Sequence, residues 1–211
     1  MQRFLYRLLR VFTVVGLLLA SATTPAQSSG TTLLVLGDSI SAAYGMSLQE
    51  GWVALLARHI AEERPGTEVV NASISGETTG GALRRLPVLL EQHKPDLVVI
   101  ELGGNDGLRG FPLNDFRDNL TQLATLSQDA GAKVLFLPMR IPPNYGSRYT
   151  QGFYDSYARV AEASGSAIGA FILEAVAIDP QLMQEDGIHP KAEAQQTMLD
   201  TVYPDIRGAL P

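Results

Sequence analysis

Three short stretches, far apart in the chain, hold residue types that fit one reaction. They are Gly37-Asp38-Ser39, Gly103-Gly104-Asn105-Asp106 and Asp186-Gly187-Ile188-His189-Pro190. A serine hydroxyl is a poor nucleophile until a base takes its proton. His189 can be that base for Ser39. Asp186 sits three residues before it. On a tight turn its carboxylate can bond one ring nitrogen and leave the other to accept the serine proton. Attack on a carbonyl places negative charge on one oxygen, which needs donors aimed at it. The Asn105 amide and the N–H groups of Gly76 and Ser39 are suitable, and a glycine lets the backbone come close to a substrate. The set points to hydrolysis of an ester or thioester.

Each stretch alone has a plainer reading. Ser39 is a favoured N-cap type, and for an isolated Gly-Asp-Ser that reading wins. Asp186 to His189 can be a capping turn with a solvated imidazole. Gly103-Gly104-Asn105-Asp106-Gly107 is turn-forming, and Asp106 reads as a holder of that loop. The argument lies in all three occurring together. His59 and His93 stand beside Arg58 and Lys94 and read as solvated surface residues. The Gly-x-Ser-x-Gly elbow of α/β-hydrolases is absent, because position 41 is Ser. No metal motif, Walker loop or dinucleotide fingerprint occurs, so neither metal nor cofactor is expected.

The elements that must position these residues alternate. Apolar, β-branched runs at 32–36, 68–71, 97–102, 134–137 and, more weakly, 167–173 predict five strands buried on both faces. Helical patterns fall at 51–63, 80–92, 113–130, 151–163 and 191–206. The first of these ends at Arg64-Pro65-Gly66, and Pro190 suits the first turn of the last. Alternation predicts one three-layer α/β domain with a parallel sheet. In such sheets the site lies beyond the carboxyl ends of the strands. Ser39, Gly76 and Asn105 follow the first three strands, at strand-to-helix corners, and so share that rim.

The start of the chain is separate. Arg3, Arg7 and Arg10 precede an apolar run at 11–20, then small residues up to Ala26. This reads as a secretory signal peptide over residues 1–26, with the domain at 27–211. The run is short of the roughly 20 residues that span a bilayer, so no stable membrane insertion is expected. Residues 1–26 hold three of the 16 basic residues and none of the 22 acidic ones, which leaves the remainder at −9. That argues against nucleic acid as a partner. The chain has no Cys, which suits an oxidising compartment and leads to a periplasmic or secreted location.

With these blocks in order, the chain resembles the SGNH (GDSL-type) hydrolase family. The blocks are Val35 to Ser41, Asn71 to Thr78, Glu101 to Gly110 and Asp186 to Pro190. The likeness is strongest to the branch of periplasmic thioesterase I, lysophospholipase L1 and arylesterase. It implies a flavodoxin-like sheet, no cofactor and broad acyl substrates. It also implies Ser39 as nucleophile, Asp186 and His189 as its partners, and Ser39, Gly76 and Asn105 as oxyanion donors. In close relatives the loop equivalent to 107–112 moves on acyl binding, which makes that loop a candidate lid. Gly107, Leu108 and Phe111, with Met139, Ile141, Pro142, Pro143 and Tyr145 after the fourth strand, are candidate groove residues, although ordinary packing accounts for each equally well. The expected substrate is a small-molecule or lipid-like acyl ester or thioester, met by a monomer. A carbohydrate O-acetylesterase is the rival enzyme, and a non-catalytic binding module the rival outside catalysis.

Overall fold

The computed structural model describes residues 30–211. The signal peptide expected at 1–26 lies outside the described residues. Five strands are present: β1 (Thr32–Gly37), β2 (Glu68–Asn71), β3 (Leu97–Glu101), β4 (Lys133–Phe136) and β5 (Ala167–Ile168). All pair in parallel, in the order β2-β1-β3-β4-β5. This is the flavodoxin-like order, in which the sequence direction reverses between β1 and β3. Six α-helices surround the sheet: α1 (Trp52–Glu63), α2 (Thr79–His93), α3 (Gly104–Leu108), α4 (Leu113–Asp129), α5 (Ser147–Ser164) and α6 (Gln195–Ala209). Helix α1 packs on α6, while α2 packs on α4 and α4 on α5.

The centres of β1 and β3 are apolar because both sheet faces are covered; Leu33 to Leu36 and Leu97 to Ile100 have no exposed surface. The helices bury one stripe each. In α1 it is Trp52, Val53, Leu56 and Ile60, a helical spacing. Pairing of Gly37 with Glu101 brings the ends of β1 and β3 level. The chain therefore leaves both strands side by side, with Asp38 and Ser39 next to the Gly103–Asn105 turn.

Four expectations are corrected. Ser39 is not at a strand-to-helix corner. After β1 the chain runs through turns, and α1 starts only at Trp52. The fifth strand ends after two residues instead of continuing to 173. The last bond of the ladder is the Gly169 N–H to the Phe136 carbonyl at 2.8 Å, and the next N–H, that of Ala170, faces away from β4 and goes to the Asp205 carboxylate of α6 at 2.8 Å. The last helix begins at Gln195. Pro190 is not in its first turn but bridges Met183 in antiparallel fashion, closing the segment that carries Asp186 and His189 into a hairpin. Helix α5 starts at Ser147. Its polar first turn carries no apolar periodicity, which is why the pattern places the start later. Helix α3 was not foreseen, since five residues around glycine read as a turn.

Candidate active site

The turn at 186–189 is built by its own carboxylate. Asp186 Oδ1 accepts the N–H groups of Ile188 (2.9 Å) and His189 (3.0 Å). The Gln184 N–H closes the hairpin on the His189 carbonyl at 2.7 Å. This leaves Asp186 Oδ2 at 2.6 Å from His189 Nδ1. On the other side of the ring, Nε2 is 2.9 Å from Ser39 Oγ. With Nδ1 protonated and donating to Asp186, Nε2 is free to accept the serine proton. Partial desolvation works against ionisation of Asp186, but the His189 and Ile188 amides and the imidazole outweigh it and bring the carboxyl down to about 2.

Ser39, Gly76 and Asn105 follow β1, β2 and β3, and of the three Ser39 and Asn105 line the cavity of the site while Gly76 does not. The N–H groups of Ser39 and Gly76 have no acceptor among the described residues. Gly76 takes a left-handed φ of 78°, which suits glycine, and Arg109 Nη2 holds its carbonyl at 3.2 Å. Asn105 Nδ2 donates to Asp38 Oδ2 at 3.3 Å and keeps its second proton unspent. Asp106, read from sequence as a loop holder, accepts the N–H and hydroxyl of Thr79 at 3.0 and 2.5 Å. It thereby fixes the start of α2 just after Gly76. Burial pushes its carboxyl up. His59 is exposed and His93 half-buried, and both lie on helices away from the cavity lining.

Behind Ser39 stands a buried carboxyl pair that sequence reasoning did not single out. Asp38 is 2% exposed and Glu101 not at all. Glu101 Oε2 accepts the Ser41 hydroxyl at 2.7 Å and, weakly, the Asp38 N–H at 3.4 Å. The Trp52 indole N–H in turn donates to Ser41 Oγ at 3.1 Å. Burial pushes Asp38 up to about 6 and, together with the Asp38 charge, holds Glu101 well above the carboxylate range. Glu101 Oε1 has no partner among the described residues. The neutral acid is the form that this site tolerates.

Ser39, Asn105 and His189 open into a cavity of 580 Å³, within the range of small-molecule sites. Of the groove candidates, Leu108, Met139, Ile141, Pro142 and Pro143 line it. Gly107, Phe111 and Tyr145 do not. Gly107 is buried against Ile141 and Phe153. Phe111 points outward and is exposed. Tyr145 spends its hydroxyl on the Leu108 carbonyl at 2.8 Å, and Tyr149 likewise holds the Phe111 carbonyl at 2.7 Å. The far wall comes from a segment missed in the sequence: Phe171, Leu173, Ala177, Ile178 and Met183. A reading of 167–173 as a strand hid the first two. The one cation on the lining, Arg140, lies 4.4 Å over the Tyr154 ring and 3.7 Å from Glu174. Among the described residues no three His, Asp or Glu side chains are grouped as a metal ion would need.

A hydroxyl, an imidazole and a carboxylate in line, at the switch point of a doubly wound sheet, define the equipment of a hydrolase. Residues 35–197 match the GDSL-like Lipase/Acylhydrolase family, and the chain belongs to that family. It is 45% identical over 193 residues to the arylesterase of Vibrio mimicus, covering 92% of this chain and 96% of the relative. It is 46% identical over 169 residues to thioesterase 1/protease 1/lysophospholipase L1 of Escherichia coli (strain K12), with 80% of each chain covered. The crystal structure of TesA superposes with a TM-score of 0.83 at 50% identity, covering 85% of this chain and 100% of that one. The chain is thus an ester hydrolase of the GDSL type.

Proposed function

We propose that the protein hydrolyses esters and thioesters of apolar acyl chains through an acyl-enzyme on Ser39. The observation that carries this is the unbroken line Asp186–His189–Ser39 opening into a cavity walled by Leu, Ile, Met, Pro and Phe side chains. His189 takes the Ser39 proton as Oγ attacks the carbonyl, and returns it to the leaving group. Water then repeats the cycle on the acyl-enzyme. Asp186 orients the ring and faces the imidazolium that forms. The N–H groups of Ser39 and Gly76 and the Asn105 amide receive the oxyanion. The acyl chain lies along Leu108, Ile141, Leu173 and Ile178, and the alcohol or thiol leaves by the open side. The names of the relatives, arylesterase and thioesterase 1/lysophospholipase L1, agree with this acyl class. An acetylated sugar would find little polar surface on the same wall.

The test uses p-nitrophenyl esters of rising chain length, with an acyl-CoA and a lysophospholipid. kcat/KM should rise by up to about fourfold per added methylene until the cavity is filled, since each buried methylene contributes ~0.8 kcal/mol. A fluorophosphonate should label Ser39, and Ser39→Ala should abolish both labelling and turnover. An adduct on Ser41, Ser73 or Ser75, or a preference for acetate that falls with length, would overturn the proposal. Export belongs to the same reading. No described helix is long and apolar enough to cross a membrane, and removal of residues 1–26 would release a mature chain near Gln27, which N-terminal sequencing of the exported protein checks.

A further inference from the structure

The imidazole of His189 has a third neighbour besides Asp186 and Ser39. The Tyr44 ring lies against it, with centroids 4.3 Å apart and planes tilted by 34°. Tyr44 is 49% exposed, yet its placement is not casual. The residues on either side of it are both left-handed, Ala43 at φ 55° and Gly45 at φ 79°. A non-glycine residue in that region costs free energy and persists only where its surroundings fix it. The Tyr44 N–H is held by the Ser39 carbonyl at 3.1 Å, and the side chain that fixes the turn from outside is Gln184. Its Nε2 donates to the Tyr44 carbonyl at 2.8 Å and to the Pro190 carbonyl at 2.9 Å. Gln184 also donates its N–H to the His189 carbonyl. A side chain at position 45 would put its Cβ 2.5 Å from Gln184 Oε1, so the clasp closes only over glycine. One residue thus binds the turn carrying Tyr44 to the hairpin carrying His189.

We propose that Tyr44 is a positioning residue for the base, its ring face stabilising the imidazolium that His189 becomes when it takes the Ser39 proton. An aromatic face attracts a cation within about 6 Å, and more strongly when the pair is partly desolvated. This rests on the reading of His189 as general base. The charged groups that face the ring are Asp186 from its own hairpin and Asp38 from the loop after β1. Both stay in place when Tyr44 is changed. Lys191, the next cation along the hairpin, is tied to the Gln181 carbonyl at 3.0 Å.

The consequence has a distinctive pH signature. Free enzyme with His189 protonated and the transition state both carry an imidazolium beside Tyr44. Loss of the ring therefore cancels between them, and wild type and variant should have the same kcat/KM below the acid limb. Above the limb the enzyme starts from neutral imidazole, and the variant should be slower. The limb itself should move to lower pH, by about half a unit to one unit, with a matching loss of about three- to tenfold on the plateau. A ring that merely packed would, when removed, lower the rate at every pH.

The experiment is the pH profile of kcat and KM on a short p-nitrophenyl ester for wild type, Tyr44→Leu and Tyr44→Phe. The Tyr44 hydroxyl makes no hydrogen bond among the described residues, so Phe is a clean control. The expected result is convergence of Tyr44→Leu with wild type at low pH, a plateau loss in kcat with KM little changed, and a wild-type profile for Tyr44→Phe. A plateau loss with an unmoved limb, or a Tyr44→Phe profile like that of Tyr44→Leu, would overturn the role of the ring while leaving the base intact. A wild-type profile without any acid limb would overturn the base reading and this proposal with it.

Discussion

Replacing Asp38 by Asn should make the protein more stable at alkaline pH and less active. Asp38 is 2% exposed, and burial lifts its carboxyl from 3.8 to about 6. A raised value in the folded state means that the folded chain holds a proton which the unfolded chain has already lost. The associated stability is present below the unfolded value and is lost as pH rises through about 6. A shift of about two units corresponds to ~3 kcal/mol at 1.36 kcal/mol per unit. An amide has the same shape and no charge to desolvate. The stability of Asp38→Asn relative to wild type should therefore rise by about 2–3 kcal/mol between roughly pH 4 and pH 8. Glu101 adds in the same direction, because the Asp38 charge is one of the two causes that hold it up. Catalysis should suffer for a different reason. Asp38 accepts from the Ile40 N–H through Oδ1 and from the Asn105 amide through Oδ2. An amide has only one oxygen. If it keeps the Ile40 bond, its NH₂ meets the NH₂ of Asn105, and Asn105 turns away from the oxyanion position. A loss in kcat approaching the ~10²–10³ of a deleted donor is expected. Urea unfolding across this pH range, with kcat on a short ester at each pH, reads both effects. A stability difference that stays flat from acid to alkali would refute the reasoning, whatever the activity.

Three other perturbations probe the rest of the site. Asn105→Ala should lower kcat by about 10²–10³ and change KM much less, since the donor acts on charge that develops in the transition state; an altered chain-length preference with intact acetate turnover would make Asn105 a groove residue instead. Asp186→Asn should leave the fold intact and cost about 10²–10⁴ in kcat, because the imidazole loses the partner that sets its tautomer; near wild-type steady-state rates would remove Asp186 from the mechanism. Leu173→Trp should fill the far wall of the cavity, so that turnover of acetate esters persists while dodecanoate esters lose the preference that chain length confers; equal loss on both would mean that the acyl chain does not lie there.

The chemically distinctive residues were legible because they interrupt apolar runs. Ser39, Asn105 and the Asp186–His189 pair stand where a buried strand or a closing turn gives way to small polar residues, and a local pattern suffices to find them. The order of the strands came from the resemblance, and pairing of Gly37 with Glu101 then sets Ser39 beside Asn105. The cavity wall was a harder problem. Phe171, Leu173 and Met183 are the same residue types as the core, so nothing in their identity separates lining from packing, and what decides it is where the fifth strand ends. β5 ends after two residues, and the segment that follows it supplies Phe171, Leu173, Ala177 and Ile178 to the cavity lining. The same holds for the support of the site. Glu101 reads as one more residue of the strand at 97–102, and only burial by its neighbours turns it into a neutral acid under the loop that carries Ser39. Tyr44 and Gln184 meet across 140 residues of sequence. Sequence thus exposes the groups proposed to act on a substrate, because those must differ from a core. The groups that hold them in place look like core or loop, and only the fold gives them their role.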